Sequence, residues 1–202
     1  MTKAWGAGIR LAGGVVVVLA SGSCGDLTRE GQSPAYLIVS ELTGASGAEP
    51  DKLGTTLYSD VVTVVEDVPT TFSDVGSVTF VLALKDPGGQ TTPTRPTANN
   101  FITITRYRVR YVRNDGRNTP GVDVPYGFDG AMTLTVQSTA TSGFEAVRHV
   151  AKKESPLAAL RGNGIIIGAI AEITFYGHDA TGRDVSATGT MMVQFGNFGD
   201  PK

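Results

Sequence analysis

The run Ser77-Val78-Thr79-Phe80-Val81-Leu82-Ala83-Leu84-Lys85 alternates with a period of two, and no helix satisfies that period. A strand turns successive side chains to opposite faces, so Val78, Phe80, Leu82 and Leu84 share a buried face. The same alternation sets Met132, Leu134 and Val136 against Thr133, Thr135 and Gln137. Ile173 and Phe175 face one way while Glu172, Thr174, Tyr176 and His178 face the other. After the turn from His178 to Asp184, Val185, Ala187, Met191, Val193 and Phe195 point inward again. Two strands in these phases around an Asp/Gly-containing loop make a hairpin. Tyr36 to Leu42 and Leu57 to Val65 add two further strands.

Composition agrees with many short strands. The 202 residues include 26 glycines, with 41% hydrophobic and 18% charged residues, which argues against disorder and coiled coil. One segment breaks the pattern. Ser155-Pro156-Leu157-Ala158-Ala159-Leu160-Arg161-Gly162 carries a capping Ser, Pro at a first helical position and Gly just past the end, the marks of one short helix. A helical turn before the final hairpin resembles the late connection of immunoglobulin-like sandwiches. The expected fold is therefore all-β, an immunoglobulin-like antiparallel β-sandwich over residues 35–198 with one short helix before the C-terminal hairpin. A β-barrel is the alternative, since strand patterns alone seldom separate the two. Pro87 to Asn100 reads as a loop.

The N-terminus follows another logic. Lys3 and Arg10 supply a positive start, and no acidic residue precedes Asp26. Leu11 to Ala20 is an apolar run with four consecutive valines, followed by Ser21-Gly22-Ser23 and then Cys24. Positive start, apolar middle and small residues before a cleavage point are the parts of a secretory signal peptide, here residues 1–23. Ten apolar residues fall short of the roughly 20 that span a hydrocarbon core. Residues 24–34 are polar and without periodicity, and read as a flexible tether.

Cys24 is the only cysteine, so no internal disulfide can form. The segment Leu19-Ala20-Ser21-Gly22-Ser23-Cys24 resembles the lipobox of bacterial lipoproteins, with Ser21 standing where an aliphatic residue is commoner. The resemblance covers about the first 25 residues. It implies that Cys24 is lipid-modified (with palmitate among its acyl chains), becomes the first mature residue, and holds an exported domain on a membrane, facing the periplasm or the cell surface. One acyl chain binds a membrane marginally and two or more hold it firmly, at about 0.8 kcal/mol per buried methylene. The remainder of the chain is similar to uncharacterised exported bacterial lipoproteins, a likeness that implies no activity.

Charge limits the partners. Removing Lys3 and Arg10 from the 17 basic residues leaves 15 against 19 acidic ones, a net charge of −4. Nucleic-acid binding needs a basic footprint and is not expected. The two histidines, His149 and His178, form no metal-ligand spacing with cysteine or acid, and no nucleophile-elbow motif occurs. No catalytic residue, metal or cofactor is assigned, and the chain is read as a non-enzyme. Gly162-Asn163-Gly164 with Gly168 lacks dinucleotide spacing and reads as turn. Asp115, Asp123, Asp129, Asp179 and Asp184 sit in Gly-containing turns, where turn chemistry explains them better than calcium.

Two features remain as candidate ligand sites. In the run Phe101 to Arg113, Ile102 and Ile104 have one parity while Tyr107, Val109 and Tyr111 have the other, which predicts a β-bulge near Thr105-Arg106. Beyond it, Arg106, Arg108 and Arg110 share one face about 6–7 Å apart. Such a row could bind an anionic glycan, phosphate or lipid headgroup, or could pair with acids on neighbouring strands such as Leu57 to Glu66. The loop from Asn114 to Gly130 is long for a connection and holds Tyr126 and Phe128, aromatics that bind a partner or cap the core. The expected function is a membrane-anchored, non-catalytic binding module of the cell envelope, with an envelope protein or glycan as partner. A structural or assembly subunit of an envelope complex is the alternative.

Overall fold

The computed structural model describes residues 32–199. The signal peptide, Cys24 and most of the tether lie outside the described residues. Ten strands follow in order: β1 (Ala35–Ala45), β2 (Thr56–Asp60), β3 (Thr63–Val65), β4 (Val68–Thr70), β5 (Asp74–Leu84), β6 (Ile102–Val112), β7 (Phe128–Val136), β8 (Thr139–Val147), β9 (Ile167–Asp179) and β10 (Asp184–Gly196). Eight of them build a three-stranded sheet, β1-β5-β8, and a five-stranded sheet, β2-β10-β9-β6-β7, while β3 and β4 pair only with each other. The two sheets stay separate and bury their alternating faces against each other, which makes the fold a sandwich and not a barrel. Pairing is antiparallel except where β2 runs parallel to β10.

The phases read from the sequence hold where the signal is local. Val78 and Phe80 are fully buried, Leu82 nearly so and Leu84 half-buried. β9 and β10 form the expected hairpin, with His178 opposite Asp184. The bulge also falls in its predicted place, since the pairing of β6 with both neighbours shifts between Ile104 and Arg106. Aromatic rings then fill the space between the sheets. Phe80 meets Phe175 edge-on at 4.9 Å, and Tyr107 meets Phe144 at 5.4 Å. Buried ring pairs of this kind add about 0.5–1.5 kcal/mol each beyond their area. The rings leave no room for a side chain at Gly76, which lies under Phe144, or at Gly130, which lies under Tyr107.

Two expectations are corrected. Leu57 to Val65 is not one strand. It breaks after Asp60, whose carboxylate accepts hydrogen bonds from the Thr63 hydroxyl at 2.8 Å and from the Phe198 backbone at 3.1 Å. The chain then enters the small hairpin β3-β4 through Glu66-Asp67, both with positive φ, at 50° and 61°. The expected short helix is present at Leu157–Gly162, as a 3-10 helix preceded by a further 3-10 turn at Ala151–Lys153, but its capping differs. Ser155 does not cap it; Pro156 holds that position, and Asn163 closes the far end by donating to the Ala159 carbonyl at 2.7 Å. A run this short, pinned by buried Leu157 and Leu160, takes the tighter helix.

Candidate functional site

The strand directions place the connections at two ends. Chain Ser33-Pro34, the Pro87 to Asn100 loop and the β9-β10 turn share the end where the described chain begins. The β3-β4 hairpin, the loop between β6 and β7 and the long β8-β9 connection share the opposite end.

The arginine row lies on the outer face of the five-stranded sheet, and its charges are met. Arg108 grips Asp129 with Nε and Nη2, each at 3.1 Å from a carboxylate oxygen. This fork holds the Asp129 carboxyl below its ordinary value. Arg106 lies 3.7 Å from the same carboxylate and stacks on the Tyr176 ring at 3.8 Å from its centroid. Arg110 reaches Glu172 at 3.8 Å. The row therefore pairs with acids across strands. Those acids stand on β7 and β9, not on the Leu57 to Glu66 segment, because β6 lies between β7 and β9.

Tyr126 and Phe128 part company. Phe128 opens β7 and is buried, with the Arg148 guanidinium over its ring at 4.1 Å, so it caps the core. Tyr126 stays 60% exposed and packs beside Gly121. The loop around it carries its own framework. Arg113 and Arg117 both hold Asp115, whose carboxyl is pushed far below the usual range by those hydrogen bonds. Asn118 accepts from the Arg113 backbone at 2.6 Å, and Asp123 accepts from the Thr119 backbone at 3.1 Å.

The remaining acids and histidines are turn and joint residues. Asp179 Oδ1 accepts from the Thr181 N–H at 2.8 Å, the Thr181 hydroxyl at 2.6 Å and the Arg183 N–H at 3.0 Å. Against burial, which acts the other way, these bonds hold its carboxyl below the ordinary value. His149 joins the Ser73 hydroxyl through Nδ1 at 3.3 Å, and His178 meets the Asp179 carbonyl at 3.1 Å. Among the described residues, no group of three or more His, Cys, Asp or Glu could hold a metal ion, and no helix is long and apolar enough to cross a membrane.

Sequence reading missed two features. Asp74 and Lys152 form a fully buried ion pair at 2.6 Å. Asp74 has the inward parity of Val78 and Phe80, so an acid on a buried face was the available signal. The second is an apolar band on the outer face of the five-stranded sheet. Val112, Ile170 and Met192 are cross-strand neighbours there. Below them Tyr58 meets Phe198 edge-on at 5.7 Å, and Ile166 and Phe198 both crowd Gly196. Each residue looked unremarkable alone, and only the strand order joins them. The chain matches no protein-family model and no curated protein sequence.

Proposed function

We propose that this chain is an exported lipoprotein, held on a membrane through lipid on Cys24, whose β-sandwich is a non-catalytic binding module of the cell envelope. The observation that carries the proposal is the order of parts: a basic start, an apolar run, small residues, a lone cysteine and a polar tether. The described domain then begins at one end of the sandwich, and the loop between β6 and β7, the β8-β9 connection and the β3-β4 hairpin lie at the other. An anchor at Cys24 turns those loops outward, where Val122 and Tyr126 are 64% and 60% exposed. An envelope protein or glycan is the partner class such loops suit, since the mature chain's net −4 charge disfavours polyanions.

An assembly subunit is the second reading, and the apolar band on the outer sheet face favours it. Cell fractionation tests the proposal. The mature chain will sediment with membranes, resist high salt and carbonate, and enter solution only with detergent. Release by salt alone would overturn lipid anchoring.

A further inference from the structure

We infer that the outer face of the five-stranded sheet docks on the same face of a second copy of this chain, with the apolar band at the centre of the contact. Tyr58, Ile166, Ile170 and Met192 are 55%, 53%, 37% and 44% exposed, and half-buried Val112 and Phe198 extend the same surface. The solvated face of an antiparallel sheet is ordinarily polar, and contiguous exposed apolar area of this kind marks a contact.

Charge selects the occupant. On this face the exposed charges are Arg106, Arg108 and Arg110 against Asp129, Glu172 and Asp184, so they balance, while Asp60 is buried and bonded to Thr63 and Phe198. A neutral face has no attraction for an anionic bilayer or an acidic partner, and none of the repulsion that would keep two identical copies apart. The layout is also self-complementary. Along β10 the outward residues Ser186, Thr188 and Thr190 are small and uncharged, and they stand at the heights of Tyr176, Thr174 and Glu172 on β9. A two-fold axis running with the strands above β9 and β10 sets Ile170 of one copy against Met192 of the other. The arginine column of β6 then meets the neutral side of the partner sheet instead of another arginine column. Such an axis gives the isologous contact of a two-fold dimer. It also leaves both chains beginning at the same end, as two copies tethered to one membrane require.

Sedimentation of the full chain in density-matched detergent tests this. A protein mass near twice the monomer is expected, and Ile170→Lys with Met192→Lys will reduce it to one copy while circular dichroism is unchanged. Thr188→Arg leaves the band intact but sets a cation opposite the partner's Thr174 and beside the partner's Arg108, and will weaken the dimer at least about tenfold. Thr133→Lys, on the outer edge strand β7, will leave it unchanged. A monomeric wild type, or a dimer indifferent to both the lysine pair and Thr188→Arg, overturns the inference. A monomer that binds vesicles through Ile170 and Met192 overturns it too, and gives the band to the membrane. None of these outcomes bears on whether Cys24 carries lipid.

Discussion

Lys152 Nζ lies 2.6 Å from Asp74 Oδ1, and neither side chain has any exposed surface. Asp74 opens β5 and also accepts the Gly47 N–H at 2.9 Å, while Lys152 sits in the first 3-10 turn after β8. One carboxylate thus ties the β1-β2 and β8-β9 connections to the sheet between them. Burial pushes the Asp74 carboxyl above its ordinary value, and the Lys152 ammonium pulls it back.

Removing one partner strands the other charge in the interior. Lys152→Met is therefore expected to cost about 3–5 kcal/mol in urea unfolding. Replacing both, with Asp74→Leu added, will recover most of that loss. Additive losses in the double variant would show that the two residues act separately.

The Glu66-Asp67 turn offers a gain. Both residues hold the left-handed backbone that two-residue hairpins need, which Asp67 tolerates and Glu66 adopts only with strain. Replacing the pair with Asn-Gly will raise stability by about 1 kcal/mol, read as a higher denaturation midpoint at unchanged slope. A lower midpoint would mean that the turn is held by contacts of the native side chains.

Asp179 fixes the sign of an acid response. Its carboxyl titrates below the unfolded value when folded, so its contribution is complete above the ordinary Asp pKa near 3.9. It is lost as pH falls through the folded value. Wild type will therefore lose stability below about pH 4 more steeply than Asp179→Asn does, in a pH series of unfolding curves. Parallel curves would remove Asp179 from the acid response.

How much was legible follows the range of each interaction. The phase of β5, the bulge in β6 and the β9-β10 hairpin are local patterns, and Val78, Ile104, Tyr107 and Phe175 lie where their parity puts them. The β3-β4 hairpin was hidden because Glu66-Asp67 lacks the usual Asn or Gly. The partners of Arg108 and Arg110 depend on which strands flank β6, and that order is set by packing across the whole sandwich. The reach from Asp74 to Lys152 spans 78 residues, and the apolar band draws on four strands and the chain around them. No local period reports either one.

The arginine row gives a decisive comparison. Arg106, Arg108 and Arg110 are engaged by Asp129, Glu172 and Tyr176, so exchanging all three for Gln will leave retention on anionic glycans and lipid headgroups unchanged. The variant will fold with a modestly lower melting temperature, since exposed pairs contribute little. Loss of retention with the fold intact would make the row a ligand site.

Metabolic labelling with palmitate, comparing wild type with Cys24→Ala, tests lipid anchoring most directly. Label will enter the wild-type chain and not the variant, which will persist as a precursor longer by about 23 residues, the length of the signal segment. Equal labelling of the two chains, or normal cleavage of Cys24→Ala, would contradict it.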